Sequence, residues 1–275
     1  MKPVATIILN RNLPDVTDAL YERLHRHNAD VTDIFVCESG SAADKLSRRH
    51  TWWANWPESL EHGLRYPRGF NFALSQLLAE GRYGDYEHFF LVVNDAEFPE
   101  QPVVGELMEV MAEHPRVGIL SPCSRDWGER ELLGQGGTKY FWYMSQIAWL
   151  LRRQYVDDVR EREEPTFMNF LYDGTNFRGY ESEIELIAKG YINDWASAIT
   201  TRAFVDEDKS HLVTKHQLIR TEPFEESVIK CVQEGRRWMR RKYGFNGRWS
   251  MQMYAKFFYE NFFVNYPYLL PCKIC

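Results

Sequence analysis

Hydrophobic positions along the first part of the chain switch between two periods. Val4 to Leu9 is an unbroken small and aliphatic run, as expected of a strand buried on both faces. Asp15 to His27 carries Val16, Leu20 and Leu24 at four-residue spacing, which predicts a helix with one apolar face. Ile34 to Cys37 is a second strand. Gly69 to Glu80 sets Phe70, Ala73, Leu74, Leu77 and Leu78 on one helical face, and His88 to Val93 is a third, nearly continuous apolar strand. Pro102 to His114 repeats the helical period, and Val117 to Leu120 is a short strand closed by Ser121-Pro122. Strands alternating with helices of this length predict an α/β fold with a mostly parallel sheet.

The middle of the chain is less regular. Gly134-Gln135-Gly136-Gly137 lacks the spacing and the following Lys-Ser or Lys-Thr of a phosphate loop, so a plain turn is expected. Ile147 to Arg153 is an apolar segment ending in two arginines, and Arg160 to Glu164 is a charged, exposed stretch. Beyond His211 the chain turns helical, with Val228, Ile229, Val232, Met239 and Tyr243 roughly on one stripe. No internal repeat is visible.

Composition narrows the function classes. With 275 residues the chain can bury a sizeable core. The balance of 33 basic and 39 acidic residues, net -6, argues against a surface built as a whole to coat nucleic acid or an anionic membrane. The charge is uneven, however. Between Lys230 and Trp249 stand Lys230, Arg236, Arg237, Arg240, Arg241, Lys242 and Arg248 against Glu234 alone, interleaved with Trp238, Tyr243 and Trp249. This tail could seat a phosphorylated acceptor, a membrane face or nucleic acid, or simply be a solvated helix face. No apolar run reaches the ~20 residues of a bilayer span, and Ala5 to Leu9 is shorter than a secretory apolar region, so a cytoplasmic protein, at most peripheral to a membrane, is expected. Five scattered cysteines suggest a reducing compartment, and Cys272-x-x-Cys275 has no second pair to complete a zinc site. Trp52-Trp53-x-x-Trp56 reads as a packing loop before a ligand platform.

The segment Leu91-Val92-Val93-Asn94-Asp95-Ala96-Glu97 concentrates the chemistry. A buried strand ends by presenting two carboxylates at the carboxyl edge of the sheet, where open α/β folds bind ligands. Two acids so close repel unless water or a cation screens them, and Mg2+ or Mn2+ with phosphate oxygens completing its shell would do so. The simpler reading is a polar turn before Pro99.

This segment resembles the modified Asp-x-Asp metal motif of inverting family-2 glycosyltransferases of the GT-A fold, and other blocks match that family in order. Val4 to Asn12 resembles its first strand; Val36-Cys37-Glu38-Ser39-Gly40-Ser41 its second-strand motif, with Glu for the usual Asp; Pro67-Arg68-Gly69-Phe70-Asn71 its glycine block beside the nucleotide. Trp149-Leu150-Leu151-Arg152-Arg153 is similar to the segment closing the acceptor side. Phe177-Arg178-Gly179-Tyr180-Glu181-Ser182-Glu183 resembles the block of the catalytic base, and Arg241-Lys242-Tyr243-Gly244 a motif of the tail.

The resemblance, spanning residues 4 to 245, implies a GT-A α/β domain with a C-terminal helical extension. Residues 1–122 would form the nucleotide-sugar and metal half, 123–215 the acceptor half, and 216–275 a helical tail covering the site. It implies a nucleotide-diphosphate sugar donor of UDP type, held by Asn10, Asn12, Glu38, Gly40, Arg68, Gly69 and Asn94. Mn2+ or Mg2+ would sit on Asp95 with Glu97 and His211. Glu183 would be the general base, with Glu181 its rival, and the acceptor a glycan or other hydroxyl. Other readings are a glycosyltransferase acting on hydroxylated bases in DNA, a nucleotidyltransferase, and a non-catalytic nucleotide-sugar-binding module.

Overall fold

The computed structural model describes residues 2–124, 128–134, 136–208 and 224–274. Among these residues nine strands form one mixed, mostly parallel sheet with helices on both sides. The first part runs β1 (Val4–Asn10), α1 (Pro14–Asn28), β2 (Thr32–Glu38), β3 (His50–Trp53), α2 (Pro57–His62), α3 (Arg65–Ala79) and β4 (His88–Val93). Then follow β5 (Ala96–Glu97), α4 (Val103–Glu113), β6 (Val117–Ser124), α5 (Glu129–Leu133), β7 (Thr138–Tyr140), β8 (Ala148–Arg152), α6 (Arg153–Val159), α7 (Ser182–Ile192) and β9 (Ala196–Glu207). Helices α8 (Phe224–Tyr243) and α9 (Arg248–Asn265) complete the described chain, with a 3-10 turn at Pro267–Cys272.

The strand order is β3-β2-β1-β4-β8-β6-β9-β5, with β7 also on β9. β1 pairs in parallel with β2 and β4, so all three carboxyl ends reach one edge together. From β1 the chain crosses to β2 in one direction and later returns past β1 to β4 in the other. Right-handed crossovers therefore place α1 and α3 on opposite faces of the sheet. β8 runs antiparallel between β4 and β6. The strands of this central layer are apolar on both faces, and β1 and β6 are buried throughout, because helices cover both sides.

Three expectations need correction. Helix α3 begins at Arg65, four residues before Gly69, since Pro67 falls in the first turn, where no intrahelical donor is required. Strand β6 does not stop at Ser121-Pro122 but continues to Ser124, and the ladder to β9 shifts register between Pro122 and Cys123, beside the residue that has no N–H to give. In α8 the buried stripe runs through Gly235, Trp238 and Met239, while Val228 and Ile229 are exposed. Gly235 decides this, because a side chain there would meet the Tyr180 ring at 2.5 Å. Trp238, Met239, Met251 and Ala255 join Ile184 and Ala188 of α7 in a second small core, which fastens the tail to α7.

The tryptophan cluster packs. Trp52 stacks on Phe35 at 5.0 Å and Trp56 lies against Phe72 and Phe167. Asn71 of α3 holds the loop before Asp173: its amide nitrogen donates to the carbonyls of Phe167 and Tyr172, and its oxygen accepts from the N–H groups of Leu171 and Tyr172.

His88, at the start of β4, is 7 % exposed, and neither ring nitrogen has a hydrogen-bond partner among the described residues. Burial, with Arg152 opposite it on β8, pushes its pKa down to about 4. The unfolded chain takes this proton near 6.5 and the folded chain only near 4, so stability falls as pH drops through that window. Between pH 7.5 and pH 5, the parent is expected to lose about 2 kcal/mol more than a His88→Leu variant, measured by denaturant titration. Equal losses would remove His88 from the acid response.

Candidate active site

The carboxyl ends of β1, β2 and β4 carry polar side chains that bond to one another. Asn94 donates to the Asn10 side-chain oxygen at 2.8 Å, and the Asn10 amide donates to both oxygens of Glu38, at 3.1 and 2.9 Å. Glu38 also accepts from the Ser41 hydroxyl and, at 2.8 Å, from the Ser47 N–H. It is fully buried. A carboxylate removed from water needs such partners, so Glu38 lies behind the cavity as the anchor of its floor. Beside it Gly40 takes a positive φ of 82°, and a Cβ there would stand 1.8 Å from the Ser59 carbonyl, so the turn admits only glycine.

In front of this floor lies a cavity of about 220 Å³ lined by Asn10, Arg11, Ser39, Arg65, Tyr66, Asn94 and Asp95, with Leu9 and Val93 below. Arg11 donates to the carbonyls of Leu60, Glu61 and His62 at the carboxyl end of α2, where the helix dipole favours a cation. Burial and the neighbouring Arg65 lower its pKa to about 10. Arg65 itself holds a left-handed φ of 59° at the start of α3. For a residue with a Cβ this costs about 1 kcal/mol or more, which the surroundings must impose.

Asp95, Tyr66 and Val93 also line a second cavity of about 480 Å³, which continues past Tyr143, Gln146, Arg178, Tyr180, Glu181, Glu183, Glu207, Cys231 and Arg248. Asp95 stands at the junction of the two. Its pKa rises to about 6 through burial, then through the charges of Glu207 and Asp208. The strand pair β5–β9 creates this acid group, matching Ala96 with Glu207, and the Asp208 N–H donates to the Asp95 carbonyl at 2.8 Å. A third cavity, about 300 Å³, opens on the other flank of Asp95 beside Asp15, Arg23, Glu97 and Asp208.

The second cavity is also lined from the start of α7, whose N-cap residue Glu181 turns the chain into the helix with a φ of 61°. Glu183 in the first turn faces the cavity, and burial followed by the charge of Glu181 raises its pKa to about 8. Glu181 is buried and accepts a long hydrogen bond from Gln252 of α9 at 3.4 Å. Glu185 points elsewhere, to Tyr243 and Lys242. Tyr66 and Tyr172 share a hydrogen bond of 3.3 Å, and Gln146 donates to Tyr172 at 2.9 Å, fixing the wall between the cavities.

Of the residues named from the sequence, Asn10, Asn94, Asp95, Glu181 and Glu183 line these two cavities. Asn12 joins the loops after β1 and β2, accepting from the Ala42 N–H and donating its own N–H to Ser41. Arg68 bonds the Gly174 carbonyl and Glu58 and lies over the Phe177 ring, and Gly69 is pressed against Leu9. Glu97 is exposed on the third cavity, and His211 lies outside the described residues. Arg65, Tyr66 and Glu207 are not among the residues the sequence points to, and Arg248, named only as part of the basic tail, also lines the larger cavity. The one usable signal was Asp206-Glu207-Asp208 after an apolar run, a second acidic strand end like that at Asp95.

Among the described residues, no group of three or more His, Cys, Asp and Glu could hold a metal unaided. Asp95 with Glu207 nonetheless suits a hard divalent cation whose remaining ligands come from phosphate and water, because the donors are all oxygen and the charge of Glu207 raises the Asp95 pKa.

No family model and no curated protein matches the chain. Solved structures do. Over 98 % of this chain and 72 % of the other, the fold is similar to a mannosyltransferase, PcManGT from Pyrobaculum calidifontis in complex with GDP-Man and Mn2+, with a TM-score of 0.57 at 10 % identity. It is also similar to glucosyl-3-phosphoglycerate synthase from Mycobacterium tuberculosis in complex with Mn2+, UDP-glucose and phosphoglyceric acid, with a TM-score of 0.53 at 11 % identity over 87 % of this chain and 79 % of the other. A Mg2+ and UDP complex of the same synthase aligns equally well, at 12 % identity. The chain has the GT-A fold.

The carboxylate cluster has a stability consequence without metal. Asp95 holds its proton up to about pH 6 in the fold but only to 3.8 unfolded, so its contribution falls as pH rises from 3.8 to 6 and stays lost above. In metal-free buffer at pH 8, Asp95→Asn should be more stable than the parent by about 1 to 2 kcal/mol, allowing for solvent screening, with no difference at pH 4. A destabilised variant at pH 8 would mean the cluster is not repulsive.

Proposed function

We propose that the chain is a metal-dependent, inverting glycosyltransferase that moves a sugar from a nucleotide-diphosphate donor to an acceptor hydroxyl. The observation that carries this reading is that Asp95 lines two adjoining cavities, the larger of which Glu183 also lines. The smaller cavity would take the nucleotide, with Arg65 and Arg11 toward the diphosphate and Asn10 and Asn94 shaping the floor. The larger cavity has room for the sugar and the acceptor.

Asp95 and Glu207 would hold Mn2+ or Mg2+, which when bound offsets the negative charge growing on the leaving diphosphate. The acceptor hydroxyl attacks the anomeric carbon, and Glu183 takes its proton. The bond from that carbon to the diphosphate oxygen breaks, and its electron pair leaves with the nucleotide diphosphate. A base acting from the side opposite the leaving group would allow one displacement, which inverts the anomeric configuration. Burial lets Glu183 serve as a base strong enough for a hydroxyl: its pKa of about 8 makes it a better proton acceptor than a solvated carboxylate. Tyr66, Gln146 and Tyr143 line the cavity where the sugar and acceptor would meet.

Glu183→Gln should lower transfer about 10³-fold while leaving donor binding intact, and Asp95→Ala should remove both metal-dependent nucleotide binding and transfer. Thermal-shift titration with nucleotide diphosphates, triphosphates and Mn2+ checks the ligand class: stabilisation by diphosphate that requires metal is expected, whereas preference for triphosphate would point to a nucleotidyltransferase. Since the active base is deprotonated, kcat/KM should rise with pH and level off above about 8. Glu181→Gln removes the neighbouring charge and should move that rise to lower pH; an unmoved profile would take the base role from Glu183.

A further inference from the structure

The outer face of the tail is the largest feature that the catalytic reading leaves unused. On α9, Trp249, Met253, Phe257 and Val264 recur at helical spacing on the side away from α7, and they are 72, 56, 60 and 76 % exposed. Tyr268 and Leu270 extend the stripe beyond the helix end, at 67 and 51 %. Large apolar side chains in a continuous exposed row mark a surface that meets something apolar. The other face of the same helix is buried through Met251, Ala255, Tyr259, Phe262 and Phe263, so the exposed row is not a misplaced core.

Charge selects the occupant. From Arg248 to Ile274 the only acid is Glu260, and Lys273 neutralises it. Arg248 and Lys256 border the stripe, and the last turns of α8, four residues before α9, expose Arg236, Arg237 and Arg240. Both helices contribute side chains to one small core, and the four-residue connection keeps the end of α8 near the Trp249 end of α9. We propose that this face docks on the surface of an anionic lipid bilayer, with the aromatic and aliphatic row in the interfacial layer and the arginines on the headgroups. A second copy of the chain fits less well, since a two-fold contact would bring like-charged arginine turns together. Nucleic acid fits less well because Met253, Val264 and Leu270 offer nothing to phosphate or to a stacked base. No described helix is long and apolar enough to cross a membrane, so the contact lies on the surface. The inference does not depend on the catalytic reading.

The test is flotation of the full chain with vesicles of phosphatidylcholine alone and of phosphatidylcholine with about one third phosphatidylglycerol, at low and high salt. Binding is expected to the anionic vesicles only, reversed by salt. Trp249→Ser with Phe257→Ser, and separately Arg236→Glu with Arg237→Glu and Arg240→Glu, should each weaken it at least about tenfold, from roughly 1 kcal/mol per basic residue near the surface and the loss of two large apolar anchors. Unchanged thermal midpoints establish that both variants fold. Failure to float, equal binding to neutral vesicles, or indifference to both sets of substitutions would overturn the proposal. So would a dimer in sedimentation that the Trp249 and Phe257 changes dissolve, or binding to duplex DNA in place of vesicles.

Discussion

Glu38 is a carboxylate with no access to water, and the geometry at the sheet edge follows from the need to solvate it with protein. Its partners come from the end of β1 and from the loop after β2, and Asn10, which supplies two of the bonds, is itself held by Asn94 at the end of β4. Three strands are thus locked in relative height by side chains as well as by their ladders. Loss of any member leaves a buried polar group unpaired, which costs more than the bond itself is worth. The smaller cavity inherits its floor from this chain of hydrogen bonds. Ser47 extends it to Asp18 of α1, and Arg48 closes the far end.

A second acidic group stands at the neighbouring strand end. Burial and the charges of Glu207 and Asp208 raise the Asp95 pKa, whereas Glu38 is held by Asn10 and two serines. The two strand ends therefore differ in kind. One carboxylate is hydrogen-bonded and structural, while the other lines the cavities.

The sheet was legible because parallel strands buried on both faces leave continuous apolar runs: His88 to Val93 coincides with β4, and α1 departs from its expectation by one residue at each end. What escaped was decided by single backbone atoms. Pro67 fits the first turn of α3 and Pro122 rides inside a strand at a register shift, and neither outcome follows from a hydrophobic period. In the site, Asp95 and Glu183 are visible as acids at element starts and ends. The long-range pairing that brings Glu207 to Asp95, the left-handed Arg65, and Arg248 arriving from the tail depend on tertiary placement. Val228 and Ile229 were misassigned to the buried stripe because one glycine, by admitting the Tyr180 ring, rotated which face of α8 turns inward.

Strand β9 has a consequence for the order of events on the ribosome. The loop carrying Asp95 is fastened by β9, through Ala96 with Glu207 and by the Asp208 N–H, roughly a hundred residues further along the chain. β1, β2 and β4 can pair as soon as they emerge, but the acidic loop waits until most of the polypeptide has been made. Such a late closure carries a high sequence separation and belongs to the slow part of folding. During synthesis the nascent chain thus holds the polar floor at the ends of β1, β2 and β4 before it acquires a finished acidic edge, and a chain stalled before β9 would be ordered at one side of its sheet only.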